Sequence, residues 1–177
     1  MGNKRPLRDW YYIGLAKDVS KRATCLRRKF GAVLVVDDEI RATGYCGSPR
    51  GAKNCLDLGF CIRQKKGIPS GEKYEYCKSI HAEQNALISA ARRDAVGGTM
   101  YLSGEDITGD LKNNSQDIWI EPCSLCKKMI INAGIKRVVV GDPESDLLEF
   151  KVADWIKDEN YMIYGNKKLG RRIKKGE

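Results

Sequence analysis

The sequence predicts an α/β fold in which helices cover both faces of a mixed β-sheet. Short runs rich in branched apolar residues alternate with helical stretches at a spacing of roughly 30 residues, which is typical of layered α/β folds. The chain has 177 residues, of which 42% are hydrophobic, so it is long enough to bury a single core. We therefore expect one domain over residues 1–177, ending in a basic tail at about 166–177.

The first half of the chain is expected to contain a helix followed by a β-hairpin. Apolar residues recur with helical spacing after Asp9, whose carboxylate is suited to cap the start of a helix. Asp37 and Asp38 separate two β-branched stretches and predict the turn of a hairpin. We expect a helix over 10–22, strands over 32–36 and 40–45, and a long polar connection over about 47–78.

The second half predicts further helices and strands in alternation. Gly97 and Gly98 end one helical stretch, while Pro122 lies near the first turn of another and Gly134 follows its last turn. We expect helices over 81–93, 122–133 and 147–157, and strands over 99–103, 136–140 and 161–164, which gives five strands in all.

The formal net charge is +9, from 32 lysines and arginines against 23 aspartates and glutamates. This excess favours anionic partners such as nucleotides, nucleic acids or acidic surfaces, without choosing among them. The basic tail contributes part of it. A solvated or frayed tail is one interpretation, and contact with nucleic acid is the other.

The sequence also bears on location and on the use of cysteine. Apolar runs do not exceed about six residues, which excludes a membrane span. The basic residues near the N-terminus are followed by no apolar stretch, so we expect a cytoplasmic protein with no membrane partner. Seven cysteines in such a protein indicate metal binding or catalysis rather than a disulfide framework.

The strongest functional pattern pairs His81-Ala82-Glu83 with Pro122-Cys123-Ser124-Leu125-Cys126. Cys123 and Cys126 are one helical turn apart at the start of a predicted helix, where free backbone N–H groups favour thiolates. His81 supplies a neutral third ligand, and the open fourth position is typical of a catalytic zinc site with bound water. The alternative is an ordinary histidine beside two buried cysteines.

Glu83 is the candidate catalytic residue. Zinc lowers the pKa of a bound water, and the neighbouring carboxylate can take the proton and deliver it to a ring nitrogen and a leaving amine. Together the two segments match the H-x-E and P-C-x-x-C signature of zinc-dependent deaminases, in which the glutamate is not a metal ligand.

The sequence resembles the cytidine and deoxycytidylate deaminase superfamily, and most closely its dCMP deaminases, over about residues 8–142. Beyond the zinc pattern, the resemblance rests on Trp10 and on residues 21–33, 44–49, 67–72, 81–86 and 129–136. It implies a cytidine-deaminase-like three-layer α/β/α fold with a mixed five-stranded sheet, and hydrolysis of dCMP to dUMP and ammonia. It also implies a homo-oligomer, often a hexamer, with dCTP and dTTP as possible allosteric effectors.

Substrate contacts are expected at three positions. Family members usually carry asparagine within Gly-Tyr-Asn-Gly, where it binds the sugar, but this chain has Cys46, whose thiol is a weak donor and acceptor. Ala82 lies between the candidate ligand and the candidate proton carrier. Among the cations that flank the first strand, Arg27 is our candidate for the substrate phosphate.

A polar segment over 104–117 makes the interval between His81 and Cys123 longer than is usual in the family. Because it leads into the predicted zinc helix, we expect it near the mouth of the site as a lid, a specificity loop or an oligomer contact. A neutral surface insertion is the alternative.

Four further cysteines, Cys25, Cys55, Cys61 and Cys77, predict a second, structural zinc site. In similar family members, cysteines in this region resemble zinc ligands, and four thiolates would form a closed tetrahedral site that pins a long loop. Buried free thiols and redox-active pairs are the alternatives.

Three other functions compete with dCMP deamination: deamination of cytosine or adenine in RNA or single-stranded DNA, deamination of a modified cytosine nucleotide or another nucleobase, and a non-catalytic zinc module. Acidic residues in the 104–117 segment argue against a long phosphate backbone at the site. Glu83 argues against the non-catalytic module, because a structural zinc needs no proton carrier.

Overall fold

The structure, a computed structural model, describes residues 5–69, 72–107, 121–158 and 170–175. Its helices are α1 (Arg8–Ser20), α2 (Cys55–Leu58), α3 (Ile62–Lys65), α4 (Ala82–Ser89), α5 (Ser124–Asn132) and α6 (Val152–Lys157), with short 3₁₀ turns at Tyr74–Tyr76 and Arg92–Asp94. Its strands are β1 (Arg28–Val36), β2 (Glu39–Tyr45), β3 (Thr99–Asp106), β4 (Arg137–Gly141), β5 (Leu147–Lys151) and β6 (Arg171–Ile173). None of these helices has the length and apolar character needed to cross a membrane.

The strands form one mixed sheet in the order β2-β1-β3-β4-β5-β6. β3 and β4 are parallel, and the other neighbouring strands are antiparallel. The predicted mixed α/β fold is confirmed. The predicted count of five strands is wrong, because the described residues contribute six.

The sheet is buried on both faces, which explains the continuous apolar run in β1. Val33 and Val35 pack with α1 residues on one face, while Ala32 and Leu34 face the cluster that contains residues from α4, α5 and α6. The three layers of the predicted architecture are therefore present, and the faces alternate with the period of two expected for a strand.

The predicted hairpin between β1 and β2 is confirmed. Asp37 and Asp38 have φ angles of 51° and 64°, and Val36 pairs with Glu39 across the turn. Positive φ at both central residues defines a type I′ turn, whose twist matches that of the flanking strands.

The predicted capping role of Asp9 is wrong. α1 begins at Arg8, two residues before the predicted start, and the carboxylate of Asp9 instead accepts two hydrogen bonds from Arg137 at 2.8 and 2.7 Å. Tyr101 donates a third hydrogen bond to it at 2.9 Å. Such charge-assisted bonds outweigh a cap, so Asp9 ties α1 to β3 and β4.

The helix predicted over 147–157 is wrong in its first half and confirmed in its second half. Leu147–Lys151 is a strand that pairs with β4, and the helix begins only at Val152. Consecutive apolar residues fit a buried strand as well as a buried helix. The strand is favoured because Arg137 and Arg171 bind the carboxylate of Glu149 from the two neighbouring strands.

The helix predicted over 81–93 ends at Ser89, and its last residues form an extended link and a 3₁₀ turn. The side chain of Arg92 donates a hydrogen bond to the carbonyl of Asn132 at the end of α5. This tertiary contact overrides the helix propensity of the segment.

The basic tail is not frayed where the structure describes it. Residues Arg171–Ile173 pair with β5, and Lys175 forms a salt bridge with Glu144 at 3.1 Å. Acidic side chains thus neutralise part of the tail, which weakens the case for nucleic-acid contact there. The strand expected at 161–164 lies outside the described residues.

Candidate active site

The starts of α4 and α5 bring the predicted zinc ligands together. His81 is the residue immediately before α4, and Cys123 is the residue immediately before α5, with Cys126 in its first turn. The backbone N–H of His81 donates to the side chain of Gln84 at 2.9 Å, which fixes the position where α4 begins. Because α4 and α5 cover the same face of the sheet, their N-termini converge.

The three ligand atoms have the spacing of a tetrahedral zinc site. His81 Nδ1 lies 3.5 Å from Cys123 Sγ and 3.4 Å from Cys126 Sγ. Zinc bonds of about 2.3 Å to sulfur and 2.0 to 2.1 Å to nitrogen, at a tetrahedral angle, place sulfur and nitrogen about 3.5 Å apart. Among the described residues, these three form the group of potential ligands whose atoms all lie within 4.8 Å of one another.

The electrostatics of the pair of cysteines also suit a cation. The hydrogen bond from Cys126 lowers the pKa of Cys123 to about 4, and the imidazole of His81 adds to this effect. The pKa of Cys126 is raised, because its thiol donates to Cys123 and is buried. The lowered pKa of Cys123 favours its thiolate, and a bound cation would favour ionisation of Cys126 as well.

Glu83 lies beside these ligands, in the first turn of α4, and its side chain is only 8% exposed. Burial raises the pKa of the Glu83 carboxyl, and the nearby imidazole of His81 partly opposes this rise. A carboxyl group so placed, with a raised proton affinity, can accept and return a proton near the ligand set.

The backbone of β2 supports α4 from below through Gly44. A Cβ atom at Gly44 would lie 2.3 Å from both the carbonyl oxygen of Ala82 and the backbone nitrogen of Ala86. The absence of a side chain thus allows β2 and α4 to touch, which sets the height of His81 and Glu83 above the sheet.

Comparison with known proteins identifies the family. The sequence profile of the family described as "Cytidine and deoxycytidylate deaminase zinc-binding region" matches residues 7–142. The chain belongs to this family. The three candidate zinc ligands, His81, Cys123 and Cys126, all lie within the matched residues.

Several relatives carry the name deoxycytidylate deaminase. The protein from Mycobacterium phage D29 is 36% identical over 140 residues, which cover 76% of this chain and 94% of that protein. The protein from Schizosaccharomyces pombe is also 36% identical, over 76% of this chain, but this chain spans only 37% of its length. The crystal structure of the dCMP deaminase of cyanophage S-TIM5 with dCMP and dUMP has a TM-score of 0.52 and 26% identity, over 78% of this chain and 83% of that one.

In this deaminase family member, Cys46 is buried against the first strand and uses its thiol locally. Its sulfur accepts a hydrogen bond from Phe30 N at 3.1 Å and donates to Phe30 O at 3.3 Å. Burial raises the pKa of the thiol to about 12, and the charge of Glu83 also raises it. Cys46 is therefore a neutral thiol that lies close to Glu83.

The other two predicted substrate contacts are less accessible. Ala82 has no exposed surface, and Arg27 is largely buried while its carbonyl accepts from the backbone N–H of Ile107 at 2.8 Å. Substrate contact by either residue stays a prediction. The charge of Arg28 acts on the pKa of His81, so this neighbouring cation also lies within electrostatic range of the ligands.

Sequence reasoning missed Tyr74, whose ring contacts that of His81. Burial raises the pKa of its phenol, and the thiolate of Cys123 adds to the rise. Tyr74 lies in a polar connection without helical or strand periodicity, so no sequence signal pointed to it.

The four remaining cysteines are neighbours but do not form a compact ligand group. Burial raises the pKa of Cys55 to about 11, with smaller contributions from Cys25, Cys61 and Cys77. Within the residues that the structure describes, they are not among the groups whose ligand atoms lie within 4.8 Å. The second zinc site stays a prediction.

Of the 104–117 segment, the structure describes only residues 104–107. Residues up to Asp106 extend β3, and Glu121 forms a 3.2 Å salt bridge with the buried Lys127 of α5. Lys127 also lies 5.5 Å from the centre of the Trp155 ring. Glu121, which follows the segment, is thus bound to α5, whereas residues 108–117 lie outside the described part.

Proposed function

We propose that this chain catalyses the zinc-dependent hydrolysis of dCMP to dUMP and ammonia. The observation that carries the proposal is the convergence of His81, Cys123 and Cys126 at zinc-ligand distances with the buried carboxyl of Glu83 beside them. The names of the relatives and the nucleotides bound by the cyanophage enzyme support a pyrimidine nucleotide as substrate.

His81, Cys123 and Cys126 would hold the zinc ion. When bound in such a site, zinc acidifies water so that it attacks carbon near neutral pH. Glu83 takes the proton from the attacking water and passes it to the ring nitrogen N3. The water oxygen becomes bonded to C4 as a hydroxyl group, and Glu83 takes the remaining proton of that hydroxyl. Glu83 delivers this second proton to the amino group, the C4–N bond breaks to release ammonia, and the C4–O bond becomes the carbonyl of dUMP. Water and dCMP are thereby converted into dUMP and ammonia.

Ammonia release from a panel of substrates tests the proposal. The panel contains dCMP, CMP, 5-methyl-dCMP, dCTP, deoxycytidine and a cytosine-containing oligonucleotide, with Glu83→Ala as the control. We expect turnover of dCMP that the control abolishes. Activity on the oligonucleotide alone would instead favour the nucleic-acid alternative, and silence of the zinc-loaded protein on every substrate would contradict deamination.

We further propose that Arg27 binds the substrate phosphate, with Cys46 and Ala82 near the sugar and base. A phosphate contact predicts that Arg27→Gln raises KM for dCMP but not for deoxycytidine, which lacks the phosphate. Arg28→Gln, at the neighbouring residue that begins β1, is the matched variant. A larger KM effect at Arg28 than at Arg27 would reassign the phosphate contact to Arg28.

A structural zinc held by Cys25, Cys55, Cys61 and Cys77 is the second metal proposal. It is supported by the electrostatic effect of Cys25 and Cys61 on the pKa values of Cys55 and Cys77, and by the place of Cys55, Cys61 and Cys77 in the long connection before α4. Binding would require the four sulfurs to approach more closely than they do here. Metal analysis is expected to give two zinc ions per well-folded chain, and one ion per chain would contradict this site.

A single-domain, cytoplasmic homo-oligomer, with a hexamer as the expected size, completes the proposal. Apolar side chains exposed on three different helices, those of Ile88, Leu125 and Ile156, supply surface for contacts between subunits. A reducing compartment would keep the seven thiols free. Light scattering tests the oligomer, and the response of dCMP turnover to dCTP and dTTP tests allosteric control.

A further inference from the structure

The connection that precedes α4 contains three cations stacked over aromatic rings, and one of these pairs reaches the zinc site. Lys65 lies over Phe60 and Lys66 over Tyr76, at 4.9 and 5.2 Å from the ring centres. Arg63 lies over Tyr74, at 5.1 Å. Tyr74 and Tyr76 occupy the same 3₁₀ turn, but Tyr74 alone of these two has a ring contact with His81 in the described structure.

The contact between Tyr74 and His81 has the geometry of a favourable aromatic pair. The ring centres are 5.4 Å apart, and the ring planes are inclined by 75°. Edge-to-face packing of this kind combines shape complementarity with electrostatic attraction between a positive ring edge and a negative ring face. It restricts rotation of the imidazole about its bond to Cβ.

This restriction on rotation matters because the described residues provide no hydrogen bond to Nε2 that would orient the imidazole of His81. Its Nδ1 faces the two sulfurs, so Nε2 is the nitrogen that remains. Histidine ligands are usually oriented by a hydrogen bond from the nitrogen that does not bind the metal. No hydrogen bond from Nε2 of His81 is present among the described residues. The Tyr74 ring packs against the imidazole, which also faces the backbone N–H of Gln84 in the capping box at the start of α4.

Arg63 holds Tyr74 in this position. Its side chain is 4% exposed, and Nη2 donates to the carbonyl oxygens of Pro69 and Glu72 at 2.5 and 2.6 Å. The guanidinium therefore binds the backbone of the connection and stacks on Tyr74 at the same time. A guanidinium with two such bonds is a rigid support, unlike the exposed lysines that lie over Phe60 and Tyr76.

We propose that Tyr74, supported by Arg63, is a positioning residue that orients His81 for zinc binding through ring packing. It takes the place of the hydrogen bond that commonly orients a histidine ligand. The inference rests on the zinc site of the proposed function but not on the identity of its substrate, so it can be tested without turnover.

Zinc affinity, measured by competition with a chromogenic chelator, tests the proposal. Zinc binding at the His81 site is the part of the total zinc binding that Cys123→Ser abolishes. We expect Tyr74→Leu to weaken it about tenfold, since loss of an outer-shell partner commonly costs 10 to 100-fold in metal affinity. Tyr74→Phe keeps the ring and is expected to retain wild-type affinity. Tyr76→Leu, from the same turn, is the matched control and should also leave it unchanged.

A second variant covers the case in which Tyr74→Leu does not fold. Arg63→Met keeps the Tyr74 side chain but removes the guanidinium that holds its ring. It is therefore also expected to weaken zinc binding. In the cobalt-substituted protein, both variants should change the visible d–d bands of the site. Wild-type affinity in Tyr74→Leu, or in Arg63→Met when Tyr74→Leu fails to fold, would overturn the proposal. Equal loss in Tyr74→Phe or in Tyr76→Leu would also overturn it.

Discussion

Gly44 lies directly under α4, and a methyl group there would collide with the helix that carries Glu83. The Cβ atom of Gly44→Ala would lie 2.3 Å from two backbone atoms of α4, whereas ordinary contact begins at 3.4 Å. The helix or the strand must therefore move by about 1.1 Å, the difference between those distances. Neither neighbour is a flexible side chain, so the backbone has to yield.

Both stability and activity should suffer from this displacement. Overpacking in a core costs about 1 to 3 kcal/mol, so we expect the free energy of unfolding to fall by about 2 kcal/mol. A shift of about 1 Å in a catalytic group can lower the rate about 100-fold. Urea unfolding and kcat/KM for dCMP would measure the two effects.

Gly14→Ala is the matched control for this substitution. Gly14 lies within α1, and a Cβ atom there would meet nothing within 4 Å. Because glycine is unfavourable inside a helix, this variant should be more stable than wild type by about 0.5 to 1 kcal/mol, with unchanged activity. A Gly44→Ala variant as stable and as active as the Gly14→Ala variant would refute the packing argument.

Two further predictions concern the ion pairs that join α1 to the sheet, and a third concerns a zinc ligand. Burial alone would raise the pKa of Asp9, but hydrogen bonds from Arg137 lower it overall. The contribution of Asp9 to stability is therefore complete above about pH 4 and is lost as the pH falls through the lowered pKa. In Asp9→Asn, the urea midpoint should fall less steeply with decreasing pH than in the wild type. Arg137→Met should cost about 3 to 5 kcal/mol, because Asp9 loses its bidentate partner and Glu149 keeps only the exposed Arg171. Arg171→Ala should cost less than about 1 kcal/mol in the same urea titrations. Cys123→Ser should remove one zinc ion per chain by metal analysis, and unchanged zinc content would contradict its assignment as a ligand.

The parts of the structure that sequence predicted well are those set by local spacing. The two zinc segments each lie at the start of a helix, so a few neighbouring residues determine where their side chains point. The hairpin at Asp37 and Asp38 is likewise local. In these cases no distant contact was needed to choose the right element.

The failures concern residues whose roles depend on distant partners. Asp9 is bound by Arg137, which is 128 positions away, and that interaction replaces the predicted cap. Glu149 lies in a strand because its carboxylate meets arginines of β4 and β6. The pairing of β6 with β5 similarly depends on charges that a reading of the basic tail alone does not reveal.

The candidate site shows the same division. His81, Glu83, Cys123 and Cys126 follow recognisable spacings, and the structure brings them together. Tyr74 reaches His81 only because the connection before α4 folds over the site, where Arg63 holds it. Nothing in the order of its neighbouring residues marks it, so it became visible only in three dimensions.

The conversion of dCMP by zinc-loaded wild type and by Glu83→Gln tests the central claim most directly. Glutamine keeps the shape of the side chain but carries no exchangeable carboxyl proton. Zinc content is measured on the same samples, so that loss of activity is not confused with loss of the metal. We predict that both proteins bind zinc at the site of His81, and that only the wild type releases ammonia and forms dUMP. Turnover by the glutamine variant at the wild-type rate, or a zinc-loaded wild type that leaves dCMP unchanged, would contradict the account.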